Sequence, residues 1–172
     1  MKINETISGV PLKKALRKIV KYSIHRTAPV LVIKEDDLKM EYGIRSFFKS
    51  RKNVYYVQMG IACSMNYIGH EVSLYLNTSH RVLPSGHHDL VDNYVRNRIK
   101  QLSKPPVIVI DNCHHFVFEQ LFHLIGLINK LDGIACFIFL LSEAYIYDWR
   151  HSKQPHFYYF RKIVDKVFRL EA

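Results

Sequence analysis

The residues best placed to do chemistry gather around one short segment, Val107-Ile108-Val109-Ile110-Asp111-Asn112-Cys113-His114-His115. Four consecutive apolar residues before an aspartate read as a buried strand, with the carboxylate at the sheet's carboxyl end, where open α/β folds place their ligands. A carboxylate there can hold a divalent cation. His87-His88-Asp89 and the Cys113-His114-His115 run are the densest sets of metal-ligating types. Adjacent histidines on a regular element point different ways, and neither His-x-x-x-His nor Cys-x-x-Cys spacing occurs, so no metal site is expected. Cys113 beside His114, and Ser142 beside Glu143, have no nucleophile-elbow glycines around them, so no catalytic nucleophile is expected. The scattered cysteines Cys63, Cys113 and Cys136 fit reduced thiols packed in a core.

Charge suggests a second kind of function. The 25 Lys and Arg against 15 Asp and Glu give a formal charge of +10, a positive field that favours polyanionic partners. Lys13, Lys14, Arg17, Lys18 and Lys21 line the polar side of an amphipathic pattern over residues 10–25, for which Ser8 is the expected N-cap. Arg96, Arg98 and Lys100 fall on a later helix. These eight residues are the candidate nucleic-acid contacts. The aromatic residues near the C-terminus, among them Tyr145, Tyr147, Trp149, Tyr158 and Tyr159, lie among cations and suit a protein interface.

Periodicity supplies the elements that must position these groups. Strands are expected over residues 29–33, 53–58, 107–111, 134–141 and 166–170. Helices are expected over 10–25, 38–51, 64–77, 87–102, 116–131, 143–150 and 155–163, with a surface loop at 78–86. Strands alternating with helices specify a three-layer α/β/α domain around a five-stranded, mainly parallel sheet, spanning residues 1–172 as one unit. The longest apolar run, residues 134–141, is too short to cross a bilayer, and the N-terminus lacks an apolar signal segment. A cytoplasmic protein without membrane association is expected.

This order of elements, with the strand ending in Asp111 as a Walker B strand, resembles the AAA+ branch of the P-loop NTPases. It is most similar to the target-selecting ATPases of Mu-like and Tn7-like transposition and to related secretion ATPases. The resemblance implies that Ser142, ending the strand after Walker B, is the sensor. It also implies that Arg161, in Tyr158-Tyr159-Phe160-Arg161-Lys162-Ile163, faces a neighbouring subunit, and that Lys39 aligns with the phosphate-binding lysine. The small helical lid of that family is expected to be missing. A working family member carries Gly-x-x-x-x-Gly-Lys-Ser/Thr after its first strand. Here the glycines are replaced by Ile33 and Leu38 and the hydroxyl by Met40, and Glu35, Asp36 and Asp37 put carboxylates where a polyanion must sit. Each like-charge contact at ~4 Å costs about 4 kcal/mol at an effective dielectric near 20. The glutamate that polarises the attacking water is replaced by Asn112, which cannot act as a base. The expectation is therefore a binding or regulatory module with no cofactor, working through a protein partner or homo-oligomer and through DNA. The alternative is an ATPase with an atypical loop, using Lys39, Asp111, Ser142 and Arg161 with ATP and Mg²⁺.

Overall fold

The computed structural model describes residues 2–60, 67–76, 88–116, 118–153 and 155–171. Its chain order is β1 (Glu5–Ile7), α1 (Leu12–Arg26), β2 (Val30–Lys34), α2 (Leu38–Lys49), β3 (Val54–Gln58), α3 (Tyr67–Leu76), α4 (His88–Lys100), β4 (Val107–Asp111), α5 (Phe118–Lys130), β5 (Cys136–Ser142), α6 (Ile146–His151), α7 (Pro155–Ile163) and β6 (Lys166–Leu170). Single 3₁₀ turns, Cys113–His115 and Glu143–Tyr145, follow β4 and β5. The strands form one parallel sheet in the order β1-β6-β2-β5-β4-β3. The sheet has six strands rather than the expected five. The addition is β1, paired with β6 as Glu5↔Phe168 and Ile7↔Leu170. Its three residues bury a single apolar side chain, Ile7, too little to register as a period-two pattern.

Alternation along the strands splits the core in two. Val30, Val32, Tyr56, Val109, Ile138, Leu140 and Phe168 face α1 and α2, meeting Leu16, Ile19, Ile44 and Phe48. Leu31, Ile33, Val57, Ile108, Ile110 and Phe139 face the opposite layer and meet Val72 of α3, Val95 of α4, Leu124 of α5 and Phe160 of α7. Such fully buried side chains each contribute about 1.5–3 kcal/mol of transfer free energy.

Helix ends follow local chemistry. Asp37 caps α2, its carboxylate accepting the Met40 N–H at 2.9 Å. The N-cap of α1 is Pro11 and not Ser8. The proline carbonyl accepts from Lys14 and Ala15 at 2.8 and 3.1 Å, and no side chain caps the helix. The C-terminal end of α1 turns through Thr27 in the left-handed region, with its N–H on the Ser23 carbonyl. The elements expected at 64–77 and 87–102 are α3 and α4. The expected loop 78–86, Ser64, His87 and Cys63 lie outside the described residues.

Candidate functional site

Three strands end side by side with polar residues: Lys34 on β2, Ser142 on β5 and Asp111 on β4. Lys34 is in register with Ser142, and Asp111 with Gln58 of β3. Alternation turns Lys34, Ser142 and Asp111 toward the α1/α2 layer, continuing the Val30/Val32, Ile138/Leu140 and Val107/Val109 series. Strands β2 and β4 are separated by β5, hence by about 10 Å. The long lysine side chain crosses β5 and places Nζ 2.9 Å from Asp111 Oδ1. Both groups are sealed from solvent, with the side chains 5% and 0% exposed.

Asp111 is engaged from three directions. Besides Lys34, its Oδ1 accepts the Asn112 N–H at 2.7 Å, and its Oδ2 accepts the Tyr56 hydroxyl. Burial, first, and then the Asp111 charge push the Tyr56 phenol well up, so it remains a proton donor at any ordinary pH. Asn112 has φ 58, and its side-chain amide points to the Met59 carbonyl. A left-handed residue here lets the chain turn from β4 directly into the 3₁₀ turn, and asparagine tolerates that region. Cys113 is fully buried and its thiol donates to the Ile110 carbonyl at 3.1 Å. Burial and then Asp111 push that thiol up, so it is not a nucleophile. The His114 ring stacks on Tyr145 at 4.1 Å and contacts His115 at the same distance. Burial, then the neighbouring His115 and Lys34, hold it below the ordinary histidine range, so it is neutral at pH 7. Two buried atoms beside this cluster, Ser142 Oγ and His114 Nδ1, have no hydrogen-bond partner.

The remaining candidates are dispersed. Lys39 is exposed on α2 and lines a pocket of about 250 Å³ with Ile7, Leu12, Met40 and Leu170, on the α1 side of the sheet. The lysine that meets Asp111 is therefore Lys34, five residues earlier. Arg161 is committed within the chain, donating to the Trp149 and Ser152 carbonyls at 2.8 and 3.2 Å and tying α7 to the end of α6. Lys13, Lys14, Arg17, Lys18 and Lys21 are all exposed on α1, with Lys18 paired to Glu5. Arg96 and Lys100 are exposed on α4, but Arg98 is half-buried against Gln101 and the Leu76 carbonyl. Since α1 and α4 cover opposite faces of the sheet, the two basic sets do not form one surface. Among the described residues no three His, Cys, Asp or Glu side chains converge as metal ligands, and no helix is long and apolar enough to cross a membrane.

Sequence reasoning missed Lys34 and Tyr56. The available signal was a lysine directly following Val30-Leu31-Val32-Ile33: a cation continuing a fully buried strand needs a buried anion, and Asp111 ends the neighbouring apolar run.

No protein-family model and no curated protein matches the sequence. Solved structures do match. Discounting β1, the sheet order places the Asp111 strand between β3 and β5, with β2 beyond β5 and β6 outermost. Drosophila ORC bound to DNA superposes with a TM-score of 0.54 at 7% identity, over 76% of this chain and 77% of that one. This chain shares the fold of that structure, a parallel sheet with helices on both faces. Drosophila ORC bound to poly(dA/dT) DNA and Cdc6 gives a TM-score of 0.60 at 11% identity, over 94% of this chain and 29% of that one. Cdc6p from Pyrobaculum aerophilum gives 0.60 at 13%, over 91% and 43%. The chain thus spans less than half the length of these last two neighbours.

Proposed function

We propose that this chain is a AAA+-like binding or regulatory module that acts without nucleotide, in the cytoplasm, through a protein partner or further copies of itself and through DNA. The observation that carries the reading is the Lys34–Asp111 contact. In a nucleotide-handling relative the Walker B carboxylate serves a magnesium ion. Here a lysine from the same chain supplies the positive charge, and Tyr56 and Asn112 take up the carboxylate's remaining capacity.

The residues present do not fit Mg-ATP. Only Glu35, Asp36 and Asp37 separate β2 from α2, all are acidic, and Asp37 already occupies the Met40 N–H of the first turn, where a phosphate would bind. Asp111 is buried behind a tethered cation, so a metal would have to displace Lys34 at the cost of stranding a buried ammonium. The kinship with transposition target-selecting ATPases belongs to this proposal and motivates DNA as a partner. It is supported by the Asp111 and Ser142 strand ends and by the net charge of +10.

Calorimetric titration with millimolar Mg-ATP tests the reading, which predicts no saturable heat. Saturable binding abolished by both Lys39→Ala and Asp111→Asn would instead establish the alternative of an ATPase with an atypical loop.

A further inference from the structure

The face of the molecule covered by α1 and α2 carries a groove that the proposed closed edge does not use. Its first stretch runs between Lys13 and Arg17 of α1 and Tyr42 and Ser46 of α2, passing the C-cap Ser50 and ending at Arg51. Its second stretch begins at Arg51 and continues past Lys52 and Asn53 to Lys104, with Val20 and Ile24 as the α1 wall. Positions 13, 17, 20 and 24 fall on one line of a helix, so the two stretches are one path about 16 Å long.

Five cations line this path, Lys13, Arg17, Arg51, Lys52 and Lys104, and no Asp or Glu does. None of the five is in an ion pair among the described residues, whereas Lys18, Arg26, Lys34, Lys130, Lys166 and Arg169 all are. Arg51 is held over the Phe47 ring at 4.3 Å, so its guanidinium is positioned before any ligand arrives. Between the cations stand neutral donors, Ser46, Asn53 and the 75%-exposed Tyr42. Unpaired cations interleaved with hydroxyl and amide donors are the groups that contact phosphodiester backbones. A duplex lying along about 16 Å presents about five phosphates per strand. A lipid surface fits less well, because the apolar stripe of α1 (Ala15, Leu16, Ile19, Val20) is spent against the sheet.

We propose that the α1–α2 groove is a sequence-independent binding site for the sugar-phosphate backbone of duplex nucleic acid. It contains Lys13 and Arg17, and its other cations, Arg51, Lys52 and Lys104, come from the loops at the amino edge. Arg96 and Lys100, on the opposite face, take no part. The site deepens the DNA arm of the proposed function but stands apart from the carboxyl edge. Nucleotide binding, measured separately, can therefore fail or succeed without deciding it.

The test is fluorescence anisotropy of a labelled random-sequence duplex with the full chain, at a series of salt concentrations. Wild type should bind with a linear dependence of log K on log salt. The Lys13→Gln/Arg17→Gln/Arg51→Gln variant should flatten the slope by about 2.7, at about 0.9 per phosphate contact. An equal-charge control, Arg96→Gln/Lys100→Gln/Lys153→Gln, should leave the slope unchanged. If the first variant fails to fold by circular dichroism, Lys13→Gln/Lys104→Gln replaces it, with a loss of about 1.8. The proposal is overturned by absence of wild-type binding at low salt, by equal losses in the groove and control variants, or by occupancy of the groove by polyglutamate or phosphatidylserine vesicles that duplex cannot displace.

Discussion

Replacing Lys34 by methionine leaves the Asp111 carboxylate in the interior with only Tyr56 and Asn112 for support. The methionine fills much of the same space, so little of the effect comes from a cavity. Wild type places the two charges 2.9 Å apart with both side chains at least 95% buried. Removing one member of such a pair costs about 3–5 kcal/mol, because the survivor stays buried and uncompensated. The two remaining hydrogen bonds to Asp111 favour the lower end of that range. A chain of this size shifts its melting temperature by about 2–4 °C per kcal/mol, so Lys34→Met should melt roughly 6–15 °C lower. Asp111→Asn should cost a similar amount by stranding the ammonium. Lys34→Met combined with Asp111→Asn should be much less damaging than the two effects added, because a neutral pair needs no charge compensation. Denaturant titration of the four proteins closes the cycle. A Lys34→Met cost below about 1 kcal/mol, or strict additivity, would refute the claim that the two charges neutralise each other in the core.

Other outcomes follow from the same structure. Asn112→Gly should be nearly neutral while Asn112→Val loses about 1–2 kcal/mol by chemical denaturation, since φ 58 suits asparagine and glycine but not a β-branched side chain. Lys166 and Lys18 hold the Glu5 carboxyl below its ordinary range. The stability it lends β1 is complete above the unfolded glutamate value and is lost as pH falls through that value toward the folded one. Amide exchange in residues 4–7 should therefore accelerate, relative to β4, below about pH 4.3, with an effect under about 1 kcal/mol for so accessible an ion pair. Buried, up-shifted Cys113 and Cys136 should be alkylated on the order of 10²-fold more slowly in native than in denatured protein, read peptide by peptide by mass spectrometry. Arg161→Ala should lower stability by about 1.5–3 kcal/mol in thermal melts even in dilute monomeric protein, because its guanidinium serves carbonyls of its own chain.

Much of the frame was legible because fully buried parallel strands are written as unbroken apolar runs. Val107–Asp111 and Lys166–Leu170 have the expected limits, and α1, α2 and α5 declare themselves by one apolar face. What was hidden lies between elements distant in sequence. β1 is three residues long and exists because β6 offers a free edge. The site reading attached the phosphate-binding role to Lys39 by alignment, but strand register decides which lysine meets Asp111. Register brings together positions 34, 56 and 111, which no local pattern links. In the same way, α1 and α4 are both basic in sequence, yet the sheet separates them, while Arg51, Lys52 and Lys104 join the α1 cations only once α2 packs beside α1.

The most direct measurement is nuclear magnetic resonance of the lysine side-chain NH₃⁺ groups in ¹⁵N-labelled protein. An ammonium locked between strands and a carboxylate exchanges its protons slowly, so Lys34 should give a sharp signal at neutral pH that Lys34→Met removes and millimolar Mg-ATP leaves in place. A Lys34 signal broadened by solvent exchange in the free protein, or displaced when nucleotide and magnesium are added, would contradict the account.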